Sequence, residues 1–363
     1  MSEKTASELA EHITQVAASL SQLQSQFQSS LSTSSTNNDL LQTSKIAKPL
    51  DEVPKLANLI SGHATKLGLI YKPPIALTTY KTCWSELDIF VKYNVMLISL
   101  FKQLKSEVST LSEVFFYELG NDATSVIDSC LILVNELQKI IVQEAEREGE
   151  PGDDKDDVSG RLTSIGMVWE SCDNMTKTHK AGSSGVLRSK LKLTNKLVID
   201  ALDELKEWLE NPIAGGGFDY DDDDIFGLGD ENPATKSLQE KNESGQEEKA
   251  DDEVVKYGEK WSNKIQLVKL LISLLDKSIP VSKYNSKFAK GLDTLNDNRL
   301  KINEYVDDLV ACVVYDSDVE GATEASQLLT KEINQIVDIV RKLNNDDEKK
   351  CKWLDSWKAK YQE

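Results

Sequence analysis

Residues 9–31 read LAEHITQVAASLSQLQSQFQSSL, with large apolar side chains at steps of four and three. This spacing is the period of an amphipathic α-helix. Thr5 and Glu8 form a capping-box pattern just before the first leucine. The segment therefore predicts one long helix, and the Ser/Thr/Asn stretch from residue 32 to 38 predicts its end. Its apolar stripe consists of Leu9, Ile13, Val16, Leu20, Leu23, Phe27 and Leu31.

The same period continues along the chain and predicts further helices. Pro54 is expected in the first turn of the second helix, and Gly120-Asn121 is expected to be a break before the fourth. Polar Asn195 is placed on the apolar stripe of 189–210, and Arg299 interrupts the stripe of 288–313. The predicted helices cover about 51–71, 84–98, 127–141, 162–175, 189–210, 261–279, 288–313 and 329–343, followed by a short amphipathic tail with Trp353 and Trp357.

These patterns predict an all-α fold of two antiparallel helical bundles, since no segment sustains a period of two. The N-terminal bundle is expected to cover residues 1–210 and the C-terminal bundle residues 254–363. Residues 211–253 are rich in glycine, acidic and polar residues, which is typical of a disordered linker. The sequence thus predicts two helical domains joined by an acidic flexible linker.

The chain carries a strong negative charge, with 61 acidic against 42 basic residues in 363 and a formal net charge of −19. Such a charge disfavours direct binding to nucleic acid or to an anionic membrane. Residues 144–157 carry a net −6 and residues 211–253 a net −11, which leaves −2 for the remaining chain. The argument against nucleic acid therefore applies mainly to these two loops.

Five scattered cysteines without a C-x-x-C pair indicate reduced thiols rather than a disulfide framework or a zinc site. The N-terminus lacks the apolar stretch of a signal peptide, and no run is long enough to span a bilayer. His12, His63 and His179 do not have the spacing of metal ligands, and the nucleotide-binding and serine-nucleophile motifs are missing. We therefore expect an intracellular protein that is not an enzyme and needs no cofactor.

The acidic linker contains a candidate partner-binding motif. Carboxylates surround its apolar residues and keep them soluble, so that they can dock into the groove of a partner; alternatively, they fold back onto their own bundle. A calcium site is disfavoured, because Asp224 stands where the loop starting at Asp219 needs glycine. Ser237 and Ser244 each precede a glutamate by three residues, a context for acid-directed phosphorylation. The motif consists of Phe218, Tyr220, Ile225, Phe226 and Leu228.

A short helix pattern at residues 168–175, VWESCDNM, places Trp169, Cys172 and Met175 at steps of three and predicts a packing face. This segment is followed by LVIDALDELKE at 197–207 and by DIFGL at 224–228. In that order the three segments resemble the cyclin-D-binding protein family, the cyclin-D-interacting or GCIP type. ATSVID at 123–128 and VDDL at 306–309 are similar to further segments of the same family.

The resemblance implies two helical bundles similar to vinculin-type domains, without catalytic residues. It also implies an interaction protein of the cytoplasm and nucleus that binds cyclin-like or helix-loop-helix regulators and restrains the cell cycle or transcription by sequestering them. A vinculin-like or talin-like helical adaptor in the cytoskeleton or in trafficking is the alternative. Localisation would separate the two hypotheses.

Overall fold

The computed structural model describes residues 5–32, 43–146, 158–214, 249–279, 288–344 and 347–363. Within these ranges the chain forms ten α-helices, one 3-10 helix (Leu77–Thr79) and one isolated bridge between Ile213 and Lys249, so the all-α prediction is confirmed. None of the described helices is long and apolar enough to cross a membrane. The helices are α1 (Ala6–Ser32), α2 (Pro49–Ile70), α3 (Tyr80–Ser106), α4 (Val108–Leu111), α5 (Glu113–Glu146), α6 (Val158–Glu210), α7 (Asp252–Ser278), α8 (Ala289–Val314), α9 (Val319–Leu343) and α10 (Glu348–Gln362).

The described residues divide into two compact helical units. The first takes in the chain up to Leu187 together with residues 288–293, and the second takes in the rest, from Arg188 onward. Helix α6 therefore contributes residues to both units. The domain limits predicted from the sequence, 1–210, 211–253 and 254–363, stay a prediction.

In the first unit, α1 packs against α5 and α3, and α2 packs against α3. The predicted capping box begins α1: the backbone N–H of Glu8 donates to Thr5 Oγ1 at 3.2 Å, and the backbone N–H of Thr5 donates to Glu8 Oε2 at 3.0 Å. The apolar stripe of α1 enters the core, where Phe27 lies edge-on to Phe101 at 5.6 Å. The prediction of a single long N-terminal helix is confirmed.

The predicted break at Gly120-Asn121 is wrong, because α5 runs through it from Glu113 to Glu146. Gly120 is a point of close helix packing instead. A Cβ atom at this position would lie 3.0 Å from Cδ2 of Leu31, at the end of α1. The glycine therefore lets α1 approach α5 closely rather than ending a helix.

Pro54 is also placed differently from the expectation. Helix α2 begins at Pro49, so Pro54 lies inside it and not in its first turn. Proline has no N–H to donate to the carbonyl four residues earlier, that of Leu50. The α2 prediction is thus right in extent and wrong in the role given to this proline.

Helix α6 contains the two helices predicted at 162–175 and 189–210, with a kink between them. Its path is interrupted at Gly182, where φ is 64° and ψ is −176°. Glycine adopts this positive φ without the steric cost that a Cβ atom would bring. The sequence signalled two helical stretches, and the structure joins them through one non-helical residue.

The packing face predicted for Trp169, Cys172 and Met175 is only partly right. Cys172 and Met175 are buried, but the side chain of Trp169 is 46% exposed. Its indole N–H donates to Thr65 Oγ1 of α2 at 3.0 Å. The buried face is completed by Val168, one residue earlier, which fits helical steps of four and three better than repeated steps of three.

In the second unit, α7 packs against α9 and α10. The indole N–H of Trp357 in α10 donates to the carbonyl of Leu267 in α7 at 2.8 Å, and Lys264 Nζ donates to the carbonyl of Tyr361 at 2.6 Å. Since the residue numbers rise along α10 as they fall along α7, these two helices are antiparallel. Of the two tryptophans predicted in the C-terminal tail, Trp357 is buried and Trp353 is 39% exposed.

Candidate functional site

The C-terminal half of α6 and helix α8 lie side by side in the second unit. Thr194 Oγ1 accepts hydrogen bonds from Nη1 of Arg299 at 3.5 Å and from Nδ2 of Asn303 at 3.4 Å. Further along, the hydroxyl of Tyr315 donates to Glu204. The residue numbers rise together on both helices, so α6 and α8 run in the same direction.

A buried polar layer lies between these two helices. Thr194 is fully buried and Arg299 is 8% exposed, with Nε of Arg299 donating to Asn296 Oδ1 at 3.0 Å. The sequence placed Asn195 on the apolar stripe of α6, but Thr194 occupies that position and Asn195 is only half-buried. Arg299, which interrupts the stripe of α8, belongs to this layer because its guanidinium reaches across to α6.

Next to this layer, α6 and α8 enclose an open groove of about 370 Å³. Its floor is apolar and buried, whereas its rim carries four carboxylates, two from each helix. Leu197, 45% exposed, forms part of the edge. The floor consists of Val198, Ala201 and Val306, and the rim of Asp200, Glu204, Glu304 and Asp307.

The rim carboxylates give the groove a negative character. Asp200, Glu304 and Asp307 are exposed and form no ion pair within the part of the chain that the structure describes. Glu204 accepts the hydrogen bond of Tyr315, and this bond raises the pKa of the Tyr315 hydroxyl. An apolar floor with an acidic rim suits a partner segment that presents apolar side chains flanked by lysine or arginine.

The sequence did not single out these four rim residues as a site. The sequence pattern that could have revealed them is a helical spacing of acidic residues on two helices far apart in the chain. Asp200 and Glu204 are four residues apart, and Glu304 and Asp307 are three apart. Asp200, Glu204 and Asp307 do lie within the segments that carry the family resemblance. Charged positions of this kind usually indicate only a solvated face, so pairing the two helices required the structure.

The predicted partner-binding residues Phe218, Tyr220, Ile225, Phe226 and Leu228 lie outside the described residues. The same holds for the acidic run 219–224 and for Ser237 and Ser244. The hypothesis that this motif docks into a partner therefore stays a prediction.

Two of the histidines make local contacts within the first unit. His12 Nε2 lies 2.8 Å from Asp88 Oδ1, and its ring stacks on Trp84 at 3.8 Å. His63 contacts Glu86, which also lies 3.7 Å from Lys66 Nζ. Among the described residues, no group of histidine, cysteine and acidic side chains is arranged to hold a metal ion.

Three of the five cysteines are buried, and burial changes their chemistry. Desolvation raises the pKa of Cys83 and of Cys172 to about 12, and it raises the pKa of Cys130 well above that of an ordinary thiol. These side chains therefore stay protonated near neutral pH. A protonated thiol is a poor nucleophile and a poor metal ligand.

The comparisons with known proteins bear on the α6 side of the groove. Residues 52–211 match the family described as "Grap2 and cyclin-D-interacting, N-terminal", and this segment includes Leu197, Asp200 and Glu204. The chain is also 28% identical over 320 residues to the uncharacterized protein YLR287C of Saccharomyces cerevisiae, covering 87% of this chain and 86% of that protein. This match over residues 52–211 supports a GCIP-type family, so the resemblance read from the sequence is confirmed.

Proposed function

We propose that this protein is a non-enzymatic interaction protein that binds partner proteins through its helical units. The observation that carries the proposal is the family match over residues 52–211, which includes the α6 wall of the acidic groove. By holding its partners, the protein restrains cell-cycle progression or transcription. The proposed partners are cyclins of the D type or related cyclin-like proteins, together with helix-loop-helix regulators, and the proposed site of action is the cytoplasm and nucleus.

The groove supports binding rather than chemistry. Its floor is made of aliphatic side chains, and its rim carboxylates point to charge recognition of a basic partner segment. Three of these carboxylates are exposed, so they can pair with lysine or arginine without a large desolvation cost. The groove therefore offers selectivity for basic partner segments that also carry apolar side chains.

The test is direct binding of the full chain to a purified D-type cyclin and to a purified helix-loop-helix protein, measured by isothermal titration calorimetry. We expect one of these partners to bind, and we expect the pair Asp200→Lys and Asp307→Lys to weaken that binding about tenfold. Such a loss is typical when opposite charges at an interface are replaced by like charges. Asp203→Lys on the same helix is the matched control, because Asp203 is exposed and does not line the groove.

Failure of both partners to bind the wild-type chain would contradict the proposed partner class. Microscopy of the tagged full chain adds a second readout, for which we expect signal in both nucleus and cytoplasm. Association with filaments or the cell cortex would instead favour a vinculin-type or talin-type adaptor.

A further inference from the structure

We infer that the second unit has a separate docking groove, between α7 and α10, which takes an acidic peptide carrying aromatic or leucine side chains. This groove has a volume of about 350 Å³. It combines exposed apolar side chains with lysines in a protein whose net charge is −19. It is lined by Leu270, Ser273, Leu274, Lys277, Lys349, Lys350 and Trp353.

The antiparallel packing of α7 and α10 builds this groove. Leu270, Leu274 and Lys277 follow one another at steps of four and three, so they share one face of α7. The hydrogen bond from Trp357 to Leu267 fixes α10 beside that face and brings Trp353, one turn before Trp357, next to it. The apolar part of the groove is therefore held by the core of the unit.

Leu270 and Trp353 give the groove its apolar contact surface. They are 43% and 39% exposed, and both line the groove. Trp357, on the same helix, is 4% exposed and holds α10 in place. Trp353 is thus the aromatic side chain of α10 that remains available to a ligand, and exposed tryptophans are frequent anchors of peptide binding.

The lysines give the groove its charge preference. Lys277 and Lys349 are exposed and form no ion pair with any residue that the structure describes. Lys350 is partly engaged, because its Nζ lies 3.7 Å from Asp347 and donates to Asn344 Oδ1 at 3.0 Å. Two lysines beside a tryptophan and a leucine complement a peptide that alternates carboxylates with bulky apolar side chains.

This inference is independent of the acidic groove between α6 and α8, which favours ligands of the opposite charge. One unit therefore offers two grooves of opposite charge preference. If the groove between α7 and α10 binds no acidic peptide, the proposed function is unaffected, because the two grooves are altered by different substitutions.

In the experiment, a short synthetic peptide is titrated into the full chain and its binding is measured by isothermal titration calorimetry. In this peptide, aspartate and glutamate alternate with leucine and phenylalanine. We expect binding that weakens about tenfold in the double variant Lys277→Glu/Lys349→Glu and several-fold in Trp353→Ala. Added salt is expected to weaken the binding as well, since both lysines are exposed. Lys352→Glu is the matched control on α10, because Lys352 does not line the groove and pairs with Glu348 at 3.6 Å.

Two further arms make the outcome decisive. Equal binding of a peptide with lysine in place of every acid, or undiminished binding to the double variant, would overturn the inference. If the peptide binds only after residues 218–228 are deleted, the chain's own acidic motif is the occupant and the assignment to an external peptide is wrong. Circular dichroism of each variant checks that a loss of binding is not a loss of fold.

Discussion

At the scale of single residues, a sequence pattern indicated where polar groups interrupt apolar stripes but not what they contact. Arg299 stood out as such an interruption, and its partner Thr194 did not, because a threonine is unremarkable in a helix. Asn195 was predicted to be the polar residue on the apolar stripe, although it lies next to the buried position of Thr194. A one-residue error of this kind turns a side chain by about 100° around a helix, which is enough to exchange a buried for a partly exposed position.

Tyr361 carries a prediction about stability at high pH. Its phenol is buried beneath α7 and α9, and this desolvation raises its pKa to about 12. Because burial favours the neutral form, its contribution to stability is complete below the ordinary pKa of 10.0 and is lost as the pH rises toward 12. One pH unit above the ordinary value, ionisation of this phenol should lower the free energy of unfolding by roughly 1 kcal/mol.

We therefore expect the free energy of unfolding of Tyr361→Phe to fall less than that of the wild type between neutral pH and one pH unit above the ordinary tyrosine pKa. Urea unfolding followed by circular dichroism at each pH measures the difference. The Thr330 hydroxyl lies 3.3 Å from the Tyr361 hydroxyl, so the variant also loses one hydrogen bond at every pH. The exposed Tyr117→Phe serves as a control for removal of a hydroxyl, and a pH dependence of Tyr361→Phe equal to that of the wild type would refute the prediction.

At the scale of helices, the 3.6-residue period predicted most of the elements, and the failures occurred at glycine and proline. Gly120 was interpreted as a break because glycine weakens isolated helices. In the structure it serves helix packing, and the favourable burial of α1 against α5 offsets its low helix propensity. Tertiary contacts of this kind are not encoded in the local pattern of either helix.

A pair of alanine substitutions tests this interpretation of Gly120. At Gly62, exposed in the middle of α2, an added Cβ meets nothing within 4 Å, so Gly62→Ala should stabilise the protein by about 1 kcal/mol through helix propensity alone. At Gly120 the Cβ meets Leu31 at 3.0 Å, and the resulting overpacking should cancel or reverse that gain. Chemical unfolding of both variants measures the two changes, and an equal gain at both positions would show that α1 does not pack closely there.

At the scale of the whole chain, the sequence predicted the all-α class, and most of the net charge lies in two segments, 144–157 and 211–253. It did not predict the two grooves of the second unit. Each groove is formed by helices that are distant in sequence, α6 with α8 and α7 with α10. The net charge of −2 for the chain outside these segments does not reveal the opposite charge preferences of the two grooves.

The acidic motif of the linker remains a prediction that belongs to the full chain. Deletion of residues 218–228 should reduce the recovery of partner proteins in affinity purification, because it removes the apolar groups that carboxylates keep soluble. Deletion of residues 236–246 removes the same length of linker without those aromatic groups and is the control. Quantitative mass spectrometry of both eluates measures the effect, and unchanged recovery after the first deletion would leave the motif with a solubilising role alone.

The packing of α10 on α7 also provides an intrinsic optical probe. Trp208, Trp261 and Trp357 are buried in the second unit, where indole emission is expected at short wavelengths, and Trp169 of the first unit is exposed. Lys264 Nζ lies 5.7 Å from the ring centroid of Trp261, close enough for its charge to affect that emission. Opening of the second unit should therefore shift the fluorescence to the red, which allows its unfolding to be followed without an added label.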